Sequence, residues 1–273
     1  MARFAVLLAA SLAACVMTLG CSPLPPSQTP TPGRDATAGP SAPDSQGAGT
    51  SGRSRTRRIV VLGDSNSATY FTGFGQGPPW PELMASDLET RFPEVKVQLV
   101  NTATFGRTSK AVLDSLEQDC LRRYPDVVVL MIGTNDPGNG IALKETRRNV
   151  RTIIKRAKKA KSADGTPATV ILVQPPVAQS KTVAETAGVF PLWCPYDESE
   201  DPANSLKPMK DEYRRLADDL DVALVASWDQ FAELGYDGSQ PVRTEFLFDG
   251  LHLSAAGQRR VATWVGDAVA QKW

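Results

Sequence analysis

The sequence predicts an α/β fold: a parallel sheet with helices on both faces. Three observations carry this. Short β-branched runs alternate with stretches of helical periodicity from residue 58 onward. The clearest of these runs are continuously apolar, as strands buried on both faces are. Several end at glycine or asparagine followed by polar residues, the position where open parallel sheets collect functional groups.

Each element has its own signal. Residues 58–62 form an apolar run ended by Gly63 and read as the first strand. A Gly/Pro-rich loop, 72–79, leads to a helix over 80–92, with Leu83, Met84 and Leu88 at helical spacing and Pro93 closing it. Residues 95–100 read as a strand ending at Asn101. A helix over 108–122 carries Val112, Leu113, Leu116 and Leu121 on one side. The clearest buried strand is 126–132, stopped by Gly133. A long helix is expected over 141–163, then a strand over 168–173 that ends at Pro175 and Pro176. An irregular stretch, 177–205, is followed by a helix over 206–220 and a short strand over 222–225. Ser254 is placed to cap a last helix with Val261, Trp264, Val265 and Val269 on its inner face. Right-handed crossovers should join the strands. There is no internal repeat.

Ahead of this domain, residues 1–21 read as an export signal. Arg3 supplies a positive start, and 4–19 are apolar or small and uncharged. The run is too short and too interrupted to be a membrane span. Cys21 follows it at the start of a polar segment and is the favoured site for bacterial lipidation. Cys15, after Leu12-Ala13-Ala14, is the alternative, and an ordinary cleaved signal with incidental cysteines is the bland reading. Acyl chains there would hold the protein on the outer face of the cell membrane; without them it would be secreted. Residues 22–57, rich in Pro, Ser, Thr, Gly and Ala, cannot bury enough apolar surface to fold and are expected to form a flexible tether. The domain is then 58–273, about 215 residues, ordinary for one α/β unit.

The 30 basic and 30 acidic side chains balance, so nothing global argues for nucleic acid. The helix over 141–163 is locally basic, with nine Lys or Arg between Lys144 and Lys161 against the single acid Glu145. A solvated outer face explains this; contact with anionic lipid or cell-wall polymer is the alternative. Cys120 and Cys194 could form a disulfide in an exported domain or remain two separate thiols.

The chemistry converges on the single histidine, His252, three residues after Asp249. One imidazole held by one carboxylate is what a serine hydrolase needs. Ser65, directly after the first strand, can attack a carbonyl if His252 takes its proton. A serine at a strand–helix turn would also sit near the free N–H groups of the helix that follows. The resulting oxyanion needs donors: the Ser65 backbone N–H is one, the Gly106 N–H a second, and the Asn135 side-chain amide a third. Asp64 and Asp136 read as acceptors that organise their loops. One histidine and scattered acids make no recognisable metal site.

These residues resemble the SGNH, or GDSL-type, hydrolases. Gly63-Asp64-Ser65-Asn66 is similar to the first block of that family, with Asn where Leu is common. Residues 101–106, closing at Gly106, resemble the second, and Gly133-Thr134-Asn135-Asp136 the third. Asp249-Gly250-Leu251-His252-Leu253-Ser254, followed by Gly257, resembles the fifth. The blocks stand in family order across 58–273. The resemblance implies a flavodoxin-like three-layer sandwich and ester hydrolysis with no metal or cofactor. It also implies a catalytic set of Ser65, Asp249 and His252 and an oxyanion hole of Ser65, Gly106 and Asn135.

Three functions fit these residues. The first is an esterase acting on a small-molecule, lipid or glycan ester through an acyl-enzyme. The second is an acyltransferase sharing the same intermediate. The third is a catalytically silent surface-binding lipoprotein on the same fold. Phe71, Phe74, Trp80, Trp193 and Tyr196 are candidates to line the pocket, or to pack locally.

Overall fold

Among the described residues, five strands run parallel: β1 (Arg55–Gly63), β2 (Val95–Asn101), β3 (Val127–Met131), β4 (Thr169–Val173) and β5 (Ala223–Val225). Their order is β2-β1-β3-β4-β5, so the chain steps one way from β1 to β2 and then crosses back to β3. The crevice at the strand ends around β1 and β3 is where such a reversal places a site. The structure, a computed structural model, describes residues 55–68, 77–178, 207–239 and 244–273. The expected leader, the tether to residue 54, Cys15, Cys21, Cys194, Phe71, Phe74, Trp193 and Tyr196 lie outside them.

The strands form because their side chains have nowhere wet to go. Ile59 to Leu62 and Val128 to Ile132 are without solvent exposure, and the β-branched residues among them, stiff at χ1, favour the extended backbone. The sheet starts three residues earlier than the sequence predicts, because Arg55, Thr56 and Arg57 pair with Val95, Lys96 and Val97. Their polar character hid the strand. The arginines find partners across the sheet start: Arg57 faces Asp126 at 3.4 Å, while Arg58 reaches Gln98 at 2.9 Å and the Arg123 carbonyl at 2.5 Å.

Six helices cover the sheet among the described residues. These are α1 (Trp80–Arg91), α2 (Ser109–Asp119), α3 (Leu143–Ala157), α4 (Lys207–Leu220), α5 (Ser227–Glu233) and α6 (Ala255–Ala270). Five of them form two groups, α1 with α6 and α2 with α3 and α4, as right-handed crossovers on a sheet of this order require. Ser254 caps α6, its hydroxyl accepting from the Gly257 N–H at 3.2 Å.

Three departures from expectation have local causes. Helix α2 stops at Asp119; a 3-10 turn, Leu121–Arg123, and a left-handed Tyr124 turn the chain into β3. Helix α3 stops at Ala157, well short of 163. Beyond it Ser162 and Asp164 offer the backbone other partners: the Ser162 N–H donates to the Thr166 carbonyl, and Asp164 accepts from the Thr166 N–H. Helix α5 had not been expected; its Trp228 and Phe231, three apart and both buried, were the available signal.

The basic face of α3 is partly a seam rather than a solvated surface. Arg147 pairs with Glu212 at 3.4 Å and Arg151 with Asp219 at 2.5 Å, both acids on α4, and Arg156 faces Glu117 on α2 at 3.4 Å. Cys120 is buried and has no disulfide partner among the described residues. Burial first, and Asp119 second, push it up to about 12.

Candidate active site

The serine turn is built by β1 and by close contact behind it. After Gly63 the chain folds into a turn, with the Ser67 N–H donating to the Asp64 carbonyl at 3.0 Å and the Ala68 N–H to the Ser65 carbonyl at 3.3 Å. A Cβ at Gly63 would lie 2.6 Å from the Ser67 hydroxyl, so only glycine lets the turn lie this tightly. The expected helix directly behind Ser65 is not found in the described residues; 64–67 are a turn, and α1 begins at Trp80. Ser65 is 3% exposed.

The histidine arrives on the segment before α6. The Asp249 carboxylate organises it. One oxygen accepts from the backbone N–H groups of Leu251 at 3.0 Å and His252 at 2.7 Å. The other lies 2.6 Å from His252 Nδ1. Burial raises the Asp249 carboxyl, but these hydrogen bonds and the nearby imidazole outweigh it and hold the group below its ordinary value. On the other side of the ring, His252 Nε2 stands 3.0 Å from Ser65 Oγ. Two groups 187 residues apart thus meet in line with a carboxylate.

The loops after β2 and β3 flank this line. The Asn101 side chain donates to the Ser67 carbonyl at 2.8 Å, and the Thr104 N–H to the Gly63 carbonyl at 3.3 Å. They hold loop 102–108 against the serine turn. Gly106 has φ +69°, and a Cβ there would meet nothing within 4 Å; glycine serves for its left-handed backbone rather than for space. Asn135 donates through Nδ2 to the Arg107 carbonyl at 3.1 Å, which fixes its amide and leaves a second N–H on the same nitrogen. Ser65, Gly106 and Asn135 therefore follow β1, β2 and β3, three neighbouring strands.

Two buried acids brace these loops. Asp64 has no exposure. Burial raises it from 3.8 to about 6, against the opposing effects of the Asn66 N–H, Thr134 and His252. Asp136 accepts from the Ser109 backbone N–H at 2.9 Å, from the Ser109 hydroxyl, and from Thr146 at 3.1 Å. It too is raised by burial, with the Ser109 and Thr146 bonds opposing.

Some participants were invisible from sequence. Arg107 is 9% exposed, its guanidinium bonded to the Thr102 carbonyl at 2.6 Å, to Ser115 and to Asp119. Phe105, half exposed, and Phe248 stack beside the His252 ring, with centroids 6.3 and 5.8 Å away. Neither was among the expected pocket aromatics. Trp80, which was, is wholly buried, its indole N–H donating to Ser67 Oγ at 3.3 Å; it packs and does not line a pocket.

The chain is similar to known proteins along most of its length. Residues 61–260 match the GDSL-like lipase/acylhydrolase family. Among solved structures, a lipase/acylhydrolase from Enterococcus faecalis is similar at TM-score 0.58 and 21% identity, over 79% of this chain and 96% of that one. An acetylxylan esterase from Geobacillus stearothermophilus is similar at TM-score 0.60 and 17% identity, over 80% and 96%. A further acetyl xylan esterase is similar at TM-score 0.55 and 20% identity, over 78% and 99%. Among curated proteins no sequence matches. The family match spans most of the chain, from β1 into α6, and on that ground the chain belongs to the GDSL-like lipase/acylhydrolase family and is an esterase of the SGNH type.

Proposed function

We propose that this esterase works through an acyl-enzyme on Ser65, with short or medium acyl esters, or O-acetyl groups on a glycan, as its substrates. One observation carries the reading: the unbroken line from Asp249 Oδ2 to His252 Nδ1 at 2.6 Å and from His252 Nε2 to Ser65 Oγ at 3.0 Å. Ser65 Oγ attacks the ester carbonyl while Nε2 takes its proton. Asp249 holds the tautomer and stabilises the imidazolium. The oxyanion is received by the N–H groups of Ser65 and Gly106 and by the Asn135 amide. Collapse expels the alcohol, protonated by His252. Water, activated by the same imidazole, then releases the acid and restores the serine.

The glycan part of the proposal draws on two of the similar structures being acetylxylan esterases. The half-exposed Phe105 beside His252 offers a flat apolar face that suits a sugar ring or a short acyl chain. A series of chromogenic esters of increasing acyl length, run beside acetylated xylo-oligosaccharide, tests both parts. Ser65→Ala should lower kcat by about 10⁴-fold or more. Equal turnover by wild type and Ser65→Ala would sink the mechanism. Failure on every acetyl and short-chain substrate, with turnover only of long acyl esters, would sink the substrate class.

A further inference from the structure

We propose that Asn66 is a positioning residue for the serine–histidine pair, its buried carboxamide fastening the backbone beside His252 to the turn that carries Ser65. The proposal rests on the serine mechanism above and adds a residue to it.

Ser65 and His252 belong to separate segments, and each segment is stiff within itself. On the histidine side, the Asp249 carboxylate accepts from Leu251 and His252, the Phe248 N–H donates to the His252 carbonyl at 3.0 Å, and Leu247 bridges Leu253. None of these bonds reaches the serine. The Asn66 side chain does: its Oδ1 accepts from the Leu253 N–H at 3.1 Å. Asn66 is itself held, its backbone N–H donating to Asp64 Oδ1 at 3.0 Å. The residue after the serine is thus bonded to the residue after the histidine. A displacement of either segment must break that bond before it can open the 3.0 Å approach of Nε2 to Oγ.

The amide has a cost that stability alone does not explain. Asn66 is 1% exposed, and its Nδ2 has no hydrogen-bond partner among the described residues. A buried donor left unpaired is unfavourable, and an apolar side chain would avoid it. Leucine removes the orphan donor but leaves the Leu253 N–H without its acceptor. These changes oppose each other, so the variant should stay folded while the registration of the two segments loosens.

The test uses the full chain with Asn66→Leu, and Asn66→Ser in case leucine does not fit. Steady-state kinetics on a chromogenic acetate ester should show kcat down about 10- to 100-fold with KM within about threefold. Because His252 is the only histidine in the chain, its imidazole NMR signals report the site without assignment ambiguity; they should shift or broaden in both variants. The proposal is overturned if both variants keep wild-type kcat, or if activity falls only in step with the folded fraction while the imidazole signals stay unchanged. Ser65→Ala in the same assay separates the two levels. If it is inactive while the Asn66 variants are fully active, only the positioning role falls. If it is as active as wild type, the serine mechanism falls and this role with it.

Discussion

A carboxylate without solvent exposure sits directly before Ser65, and its pKa gives the site a measurable signature. Burial raises Asp64 from 3.8 to about 6, so the folded protein holds that proton more tightly than the unfolded chain. Its contribution to stability is complete below about pH 4 and fades as pH rises to about 6. Above that the fold carries a buried charge at a cost of roughly 3 kcal/mol. Asp136, raised by the same cause, adds in the same direction; Asp249, lowered, acts oppositely, its stabilisation being lost as pH falls. Asp64→Asn keeps an acceptor for the Asn66 N–H and removes the charge. Its stability relative to wild type should increase between pH 4 and pH 7.5, read by urea denaturation at the two pH values. A difference independent of pH would contradict the account. At this scale the sequence was informative where one residue type is scarce. The lone histidine singled out His252, and Asp249 three residues before it supplied the carboxylate. Asn66 and Arg107 carried no such mark, because a buried polar side chain looks in sequence like any exposed one.

The loop after β2 behaves as a braced element. The Arg107 guanidinium ties the Thr102 carbonyl, at its start, to Ser115 and Asp119 on α2, while the Arg107 carbonyl receives the Asn135 amide. Arg107→Met removes the brace and leaves Asp119 unpaired. We expect a loss of about 2–3 kcal/mol of stability together with a fall in kcat of about tenfold, since Gly106 and Asn135 both depend on this loop. Urea denaturation and initial rates measure the two effects; a destabilised variant with unchanged kcat would show the brace is not coupled to the proposed oxyanion donors. Elements with a strong apolar pattern were legible: β3 is a continuous run of valine, leucine and methionine, and α6 has both a cap and an inner stripe. The end of α3 was not, because lysines and alanines continue past Ala157 with good helical propensity, while the turn at Ser162 and Asp164 is closed by local bonds to Thr166 and by the Lys161–Pro167 bridge. Helix α5 is only seven residues long, too short for periodicity to declare it.

Across the whole molecule, the sheet order brings the four motif segments to one end of the sheet. β1, β2 and β3 are neighbours in the order β2-β1-β3, so the loops bearing Ser65, Gly106 and Asn135 must lie side by side, and α6 packs against α1 to bring the preceding His252 segment over them. The alternation of strands and helices made this architecture legible, and the order of the motifs pointed to the candidate site. The packing that sets angstrom-scale distances was not, because it depends on contacts between residues as far apart as Asn66 and Leu253. In the proposed mechanism Ser65 is the nucleophile that His252 activates. A fluorophosphonate probe, which bonds covalently to an activated serine, followed by peptide mass mapping, tests it most directly. A single modified residue, Ser65, is expected, with labelling slowed by several orders of magnitude in His252→Ala. Label on a different residue, or undiminished labelling of Ser65 in that variant, would contradict it.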